Sequence, residues 1–113
     1  MIIFDAVHLP FGCSVWPAFW TRAPNWPHGG EIDILEEVNL VTNNQMVLHT
    51  DPGCTQADGV SQLGNTRGAD CSAGLNSRTG CAVTETQPNS FGDGFNNAGG
   101  GVWATQFDDS GIL

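Results

Sequence analysis

Apolar and polar positions fall into short runs separated by Gly, Pro and Asn, which is the punctuation of a β-protein. Residues 2–8 (Ile-Ile-Phe-Asp-Ala-Val-His) read as a first strand, ended by Pro10 and Gly12. Residues 15–21 form a second, aromatic one, in which Pro17 marks an irregularity or an edge position. Residues 23–30 are a loop of breakers that carries Trp26 on a bend. A strand follows at 30–39, then a turn at Asn43–Asn44 and a fourth strand at 45–50. If that turn closes a hairpin, the third and fourth strands are neighbours. From 51 to 101 the chain turns to Gly, Ser, Thr, Asn and Asp with little periodicity, and is expected to be a long, disulfide-tied surface excursion. Strand character resumes at 102–107, a turn follows at 108–111, and Ile112–Leu113 begins another strand.

The third strand carries the chemistry. Four acidic residues (Glu31, Asp33, Glu36 and Glu37) are interleaved there with Ile and Leu. In an extended strand Glu31 and Asp33 share one face and Ile32 and Ile34 the other. Plain alternation then sends Glu36 to the wrong side. One extra residue near Leu35, a β-bulge, returns it to the face of Glu31 and Asp33, and bulges of this kind gather beside active sites. A helix serves less well, since Glu31 and Glu36 would lie roughly 140° apart around its axis. The bland alternative is a solvated acidic face. Against it stand Trp16, Trp20 and Trp26 just upstream, rings of the kind a sugar-binding cleft needs.

Composition narrows the partners. There is no Lys, and three Arg (Arg22, Arg67, Arg78) face twelve Asp and Glu, for a net charge of −9. Nucleic acid and anionic membranes both require basic patches and are excluded as expected partners. No stretch approaches the roughly 20 apolar residues of a membrane span. Residues 1–5 lack the features of a signal peptide, so any exporting segment is expected outside this chain. Cys13, Cys54, Cys71 and Cys81 contain no C-x-x-C pair, which argues against zinc-knuckle and thioredoxin-type sites. Two disulfides in an oxidising compartment are expected, with the pairing open; Cys71 and Cys81 could clip the short loop between them. Asp108–Asp109 lacks calcium-ligand spacing and is read as a turn; neither a metal nor a cofactor is expected.

Several stretches together resemble the central part of a fungal laminarinase-like domain of glycoside hydrolase family 16. They are Trp16-Pro17-Ala18-Phe19-Trp20, then Pro24 through Glu36 with its E-x-D-x-x-E at Glu31, Asp33 and Glu36, then Asn44-Gln45-Met46 and Leu48-His49-Thr50. Gly99-Gly100-Gly101-Val102-Trp103-Ala104 also fits the start of a later strand. The resemblance implies an all-β, antiparallel jelly-roll sandwich (concanavalin A-like), of which residues 1–113 are expected to be a partial, incomplete domain. It implies retaining endo-hydrolysis of β-1,3 or mixed β-1,3/1,4-glucans, with β-glucan polysaccharide as partner and a monomer once the domain is complete; secretion of the full-length protein is expected from the acidic, Gly-, Ser-, Thr- and Asn-rich composition. By position, Glu31 would be the nucleophile, Glu36 the general acid/base and Asp33 the helper between them, while Trp20, Trp26 and His49 match cleft positions. Trp16 and Trp103, in strand settings, are expected in the core. A lectin-like glucan binder and a transglycosylase using the same carboxylates are the alternatives.

A retaining glycosidase needs two carboxyls about 5–5.5 Å apart, one attacking the anomeric carbon and one protonating the leaving oxygen. Asp33 between them adds a like charge that favours a proton on its neighbours. One departure from the family pattern stands out. Position 37 is Glu where the family commonly has Gly, so an extra charge adjoins Glu36.

Overall fold

The computed structural model describes residues 1–74 and 79–113. Arg78 and residues 75–77 of the Cys71–Cys81 loop lie outside the described residues. The strands are β1 (Ile2–Ala6), β2 (Ala18–Arg22), β3 (Glu31–Glu36), β4 (Gln45–His49), β5 (Asn65–Gly68), β6 (Cys81–Thr84), β7 (Gly101–Thr105), β8 (Phe107–Asp108) and β9 (Gly111–Ile112). One short helix, α1 (Gly92–Asn97), precedes β7. Strands β2-β3-β4-β6-β5 form a five-stranded antiparallel sheet, β1 pairs with β7, and β8 with β9. Pro17 sits just before β2, an edge of this sheet among the described residues, so its missing N–H costs no ladder hydrogen bond.

The two larger sheets meet through aromatic rings. Phe4 of β1 stacks on Phe19 of β2 with centroids 4.2 Å apart, and Trp103 of β7 lies 5.5 Å from Phe4 and 5.0 Å from Phe95. Beneath them Leu9, Leu35, Phe91 and Phe95 are buried as one cluster. Burying a side chain of this size is worth about 1.5–3 kcal/mol, so these few residues supply much of what holds the layers together. Asn96 of α1 closes the cluster's edge: its Oδ1 accepts from Leu9 N at 2.8 Å and its Nδ2 donates to Leu9 O at 3.0 Å.

Two expectations are corrected. Residues 51–101 are not a surface excursion: β6 sits inside the sheet between β4 and β5, and Phe91 and Phe95 are core residues. Nor are there two disulfides among the four cysteines. Cys71 and Cys81 are joined, while Cys13 and Cys54 are exposed thiols. Cys54 is tied by its backbone carbonyl to Cys71 N at 3.1 Å, but the Cys71 sulfur is committed to Cys81. Among the described residues no helix is long and apolar enough to cross a membrane.

Candidate active site

The site is built on the irregularity in β3. From Asp33 to Glu36 that strand advances three residues, whereas β4 advances two, from Val47 to Gln45. On the other side β2 also advances two, from Trp20 to Ala18, while β3 again advances three. One residue is therefore extra in β3, as the spacing of the acids predicts, and the consequence for facing is direct. Glu31 stands opposite His49, Asp33 opposite Val47 and Glu36 opposite Gln45, and those β4 residues are two apart and share a face. The three acids consequently share a face with one another. Leu35, displaced to the other side, pairs with Phe19 and enters the core.

A bulge leaves backbone groups without ladder partners, and in a buried strand they must be satisfied. Asn44 satisfies them. Its Nδ2 donates to Ile34 O at 3.0 Å and its Oδ1 accepts from Glu36 N at 3.2 Å, bracketing the extra residue. Asn44 is 1% exposed, and its own N–H donates to Ser90 Oγ at 3.0 Å. As a sequence, Asn43–Asn44 shows only a turn; nothing in it marks Asn44 as the residue that fixes the aim of Glu36.

Glu31 and Glu36 line one cleft of about 500 Å³ together with Trp16, Trp26, His49 and Arg67. Asp33, on the same face of β3, is 2% exposed, with its Oδ2 3.4 Å from His49 Nε2, an ion-pair contact rather than an aligned hydrogen bond. Burial pushes the Glu31 carboxyl above its ordinary range and Asp33 adds to the push, while His49 and a hydrogen bond from Trp26 oppose it. Glu36 is raised for the same two reasons, burial first and Asp33 second; the hydrogen bond from Trp16 and the charge of His49 pull it back. His49 is raised chiefly by its contact with Asp33, against the opposing effect of burial, with Glu31 and Glu36 adding to it. Two half-buried carboxyls that hold protons more tightly than usual, on either side of a buried acid, can supply a nucleophile and a proton donor to one bond.

The aromatic expectations divide. Trp26 lines the cleft; Trp20 lies on the cleft face by register, opposite Asp33, with the Arg22 guanidinium 5.9 Å from its ring. Trp103 packs in the core as expected. Trp16 does not: it is 69% exposed, because it precedes Pro17 and falls outside β2, and its Nε1 donates to Glu36 Oε1 at 2.9 Å. Glu37 lines a neighbouring hollow with Trp16, Ser14 and Asn39; burial first, and Glu36 less strongly, raise its carboxyl. Gly80 was not singled out by the sequence, yet its φ of +62° and the 2.8 Å that would separate an added Cβ from His49 Nδ1 leave room there for glycine alone.

The sequence profile of the XgeA-like catalytic domain of glycoside hydrolase family 16 matches residues 1–113. The endo-1,3(4)-β-glucanase of Emericella nidulans is 40% identical over 110 residues, which is 96% of this chain and 17% of that protein. A mutant laminarinase 16A that cyclizes laminariheptaose superimposes with a TM-score of 0.93 at 38% identity, over 97% of this chain and 37% of that one. An elongating family 16 β-1,3-glucosyltransferase superimposes with a TM-score of 0.84 at 44% identity, over 95% of this chain and 36% of that one. The antiparallel sandwich thus has the jelly-roll fold of the laminarinases. The chain spans about a quarter or less of the length of the curated relatives it matches.

Proposed function

The chain belongs to the XgeA-like catalytic domains of glycoside hydrolase family 16, and from that premise we propose that it carries the retaining machinery of an endo-acting β-1,3(4)-glucan hydrolase. The observation that carries this is the shared face of Glu31, Asp33 and Glu36, with both outer glutamates in one cleft. In the first step Glu31 attacks the anomeric carbon of a bound glucosyl unit as Glu36 gives its proton to the departing glycosidic oxygen, and the C–O bond to the leaving chain breaks. The charge of Glu31 is then spent in the glycosyl ester. Glu36, now ionised, takes a proton from water, which attacks the same carbon and restores Glu31 as leaving carboxylate. Asp33 favours protonation of Glu36 before the first step. Trp26 and Trp20 offer apolar ring faces to the sugar.

Secretion belongs to the same proposal, supported by the Cys71–Cys81 disulfide and by a polymeric substrate too large to import. Likeness to a glucosyltransferase favours a second reading, in which the glycosyl group passes from Glu31 to a sugar hydroxyl instead of water. Product analysis separates the two. Changing Glu31 to Gln is expected to lower release of reducing ends from laminarin by about 10³-fold or more while oligosaccharide binding survives. Turnover comparable to the parent protein would remove Glu31 from the mechanism.

A further inference from the structure

Glu31, Asp33 and His49 do more than face a sugar. One ligand atom from each lies within 4.8 Å of the other two. Asp33 Oδ2, on a side chain 1% exposed, has no hydrogen-bond partner, and neither has His49 Nδ1. His49 Nε2 is the ion-pair partner of that Asp33 oxygen at 3.4 Å without an aligned hydrogen bond, which leaves a buried carboxylate oxygen able to take a closer electropositive group. The pair spacing is also informative. Zinc with bonds of about 2.0–2.1 Å in a tetrahedron sets its ligands about 3.3 Å apart. Asp33 Oδ2 and His49 Nε2 stand 3.4 Å apart, the edge of such a tetrahedron, and a ligand atom of the partly exposed Glu31 lies within 4.8 Å of both residues' ligand atoms. Arg67, which lines the same cleft, is held to Thr84 Oγ1 at 3.2 Å.

We propose that Glu31, Asp33 and His49 form a binding site for a single borderline divalent transition ion of the zinc class, and that its occupancy inhibits the enzyme. One imidazole nitrogen with two carboxylate oxygens suits Zn²⁺ or Co²⁺. Calcium asks for six to eight oxygens and magnesium for a near-ideal octahedron, which three protein ligands do not make. The fourth position opens on the cleft. Bound there, the ion holds the Glu31 lone pair needed to attack the anomeric carbon, so metal and glucan exclude each other. The binding stands on geometry alone; the inhibition rests on the role given to Glu31 above.

Co²⁺ is the probe, because its visible absorption reports the ligand set without any turnover. Cys13 and Cys54 are first changed to Ser so that no free thiol binds the ion. One Co²⁺ per chain is expected, displaced by Zn²⁺ and by laminari-oligosaccharide. The affinity is expected to fall at least tenfold in His49→Gln and in Asp33→Asn, and to be unchanged in His8→Gln and His28→Gln. Should Asp33→Asn fail to fold, His49→Gln decides alone. Equal affinity in His49→Gln, or loss in His28→Gln, overturns the site. Laminarin hydrolysis in the same preparation is expected to stop at saturating Zn²⁺ and return with chelator. A metal that binds at His49 yet leaves hydrolysis intact overturns the inhibition only. A parent protein inert even with chelator refutes the proposed hydrolase, and the cobalt spectrum still judges the site.

Discussion

Glu36 is the residue whose surroundings decide most. It is pushed toward its protonated form by burial and by Asp33, and held back by the indole of Trp16. A hydrogen bond to the ionised carboxylate favours that form, so its removal raises the carboxyl further. In Trp16→Phe the alkaline limb of the pH–activity profile, where under the proposed mechanism Glu36 loses the proton it donates, is therefore expected to move up. An alkaline limb that stays in place, or moves down, would show that Trp16 does not govern the acid. The acids themselves were legible because their spacing is odd where a strand demands even, and the bulge that resolves the conflict is present. Trp16 was misread for a local reason. An aromatic in an apolar run gives no sign of its face, and only the start of β2 after Pro17 leaves it at the cleft rim.

At the scale of the element, β3 is a strand kept in an irregular register by one amide. Asn44→Ala leaves Ile34 O and Glu36 N without partners in a buried setting, at about 1–3 kcal/mol for each group that water cannot reach. The variant is expected to unfold about 2–4 kcal/mol more easily in a urea titration. Its residual turnover should fall further than the unfolded fraction explains, because Glu36 loses its aim. Stability within about 0.5 kcal/mol of the parent would mean that the bulge holds itself. The pairing of β3 with β4 is as expected, but the connection runs over residues 37–44 with its turn at Asn39–Leu40 rather than at Asn43–Asn44. The role of Asn44 was not legible: its partners lie on the preceding strand, and no local pattern records a side chain that serves another strand's backbone.

The whole molecule is where the sequence was least legible. Residues 51–101 lack periodicity because β5 and β6 are four residues each, too short to show alternation, and their pairing spans long separations. Phe91 and Phe95 lie in a Gly- and Asn-rich run that reads as loop, yet they fill the space between the sheets. Cysteine count misled in the same way, since parity cannot say that Cys13 and Cys54 face solvent as thiols. What the composition did show, a strongly acidic chain without Lys, fits the neutral polymer proposed as its substrate. All of this scaffolding holds one bulged strand so that Glu31 and Glu36 open on one cleft, where the proposed mechanism has them act on the same bond. The most direct measurement of that claim is to trap the covalent intermediate with a 2-deoxy-2-fluoro laminari-oligosaccharyl fluoride and map the labelled peptide. One glycosyl group per chain, on Glu31, is the expected result; label on Glu36, or a chain that hydrolyses laminarin while accumulating no label, contradicts the account.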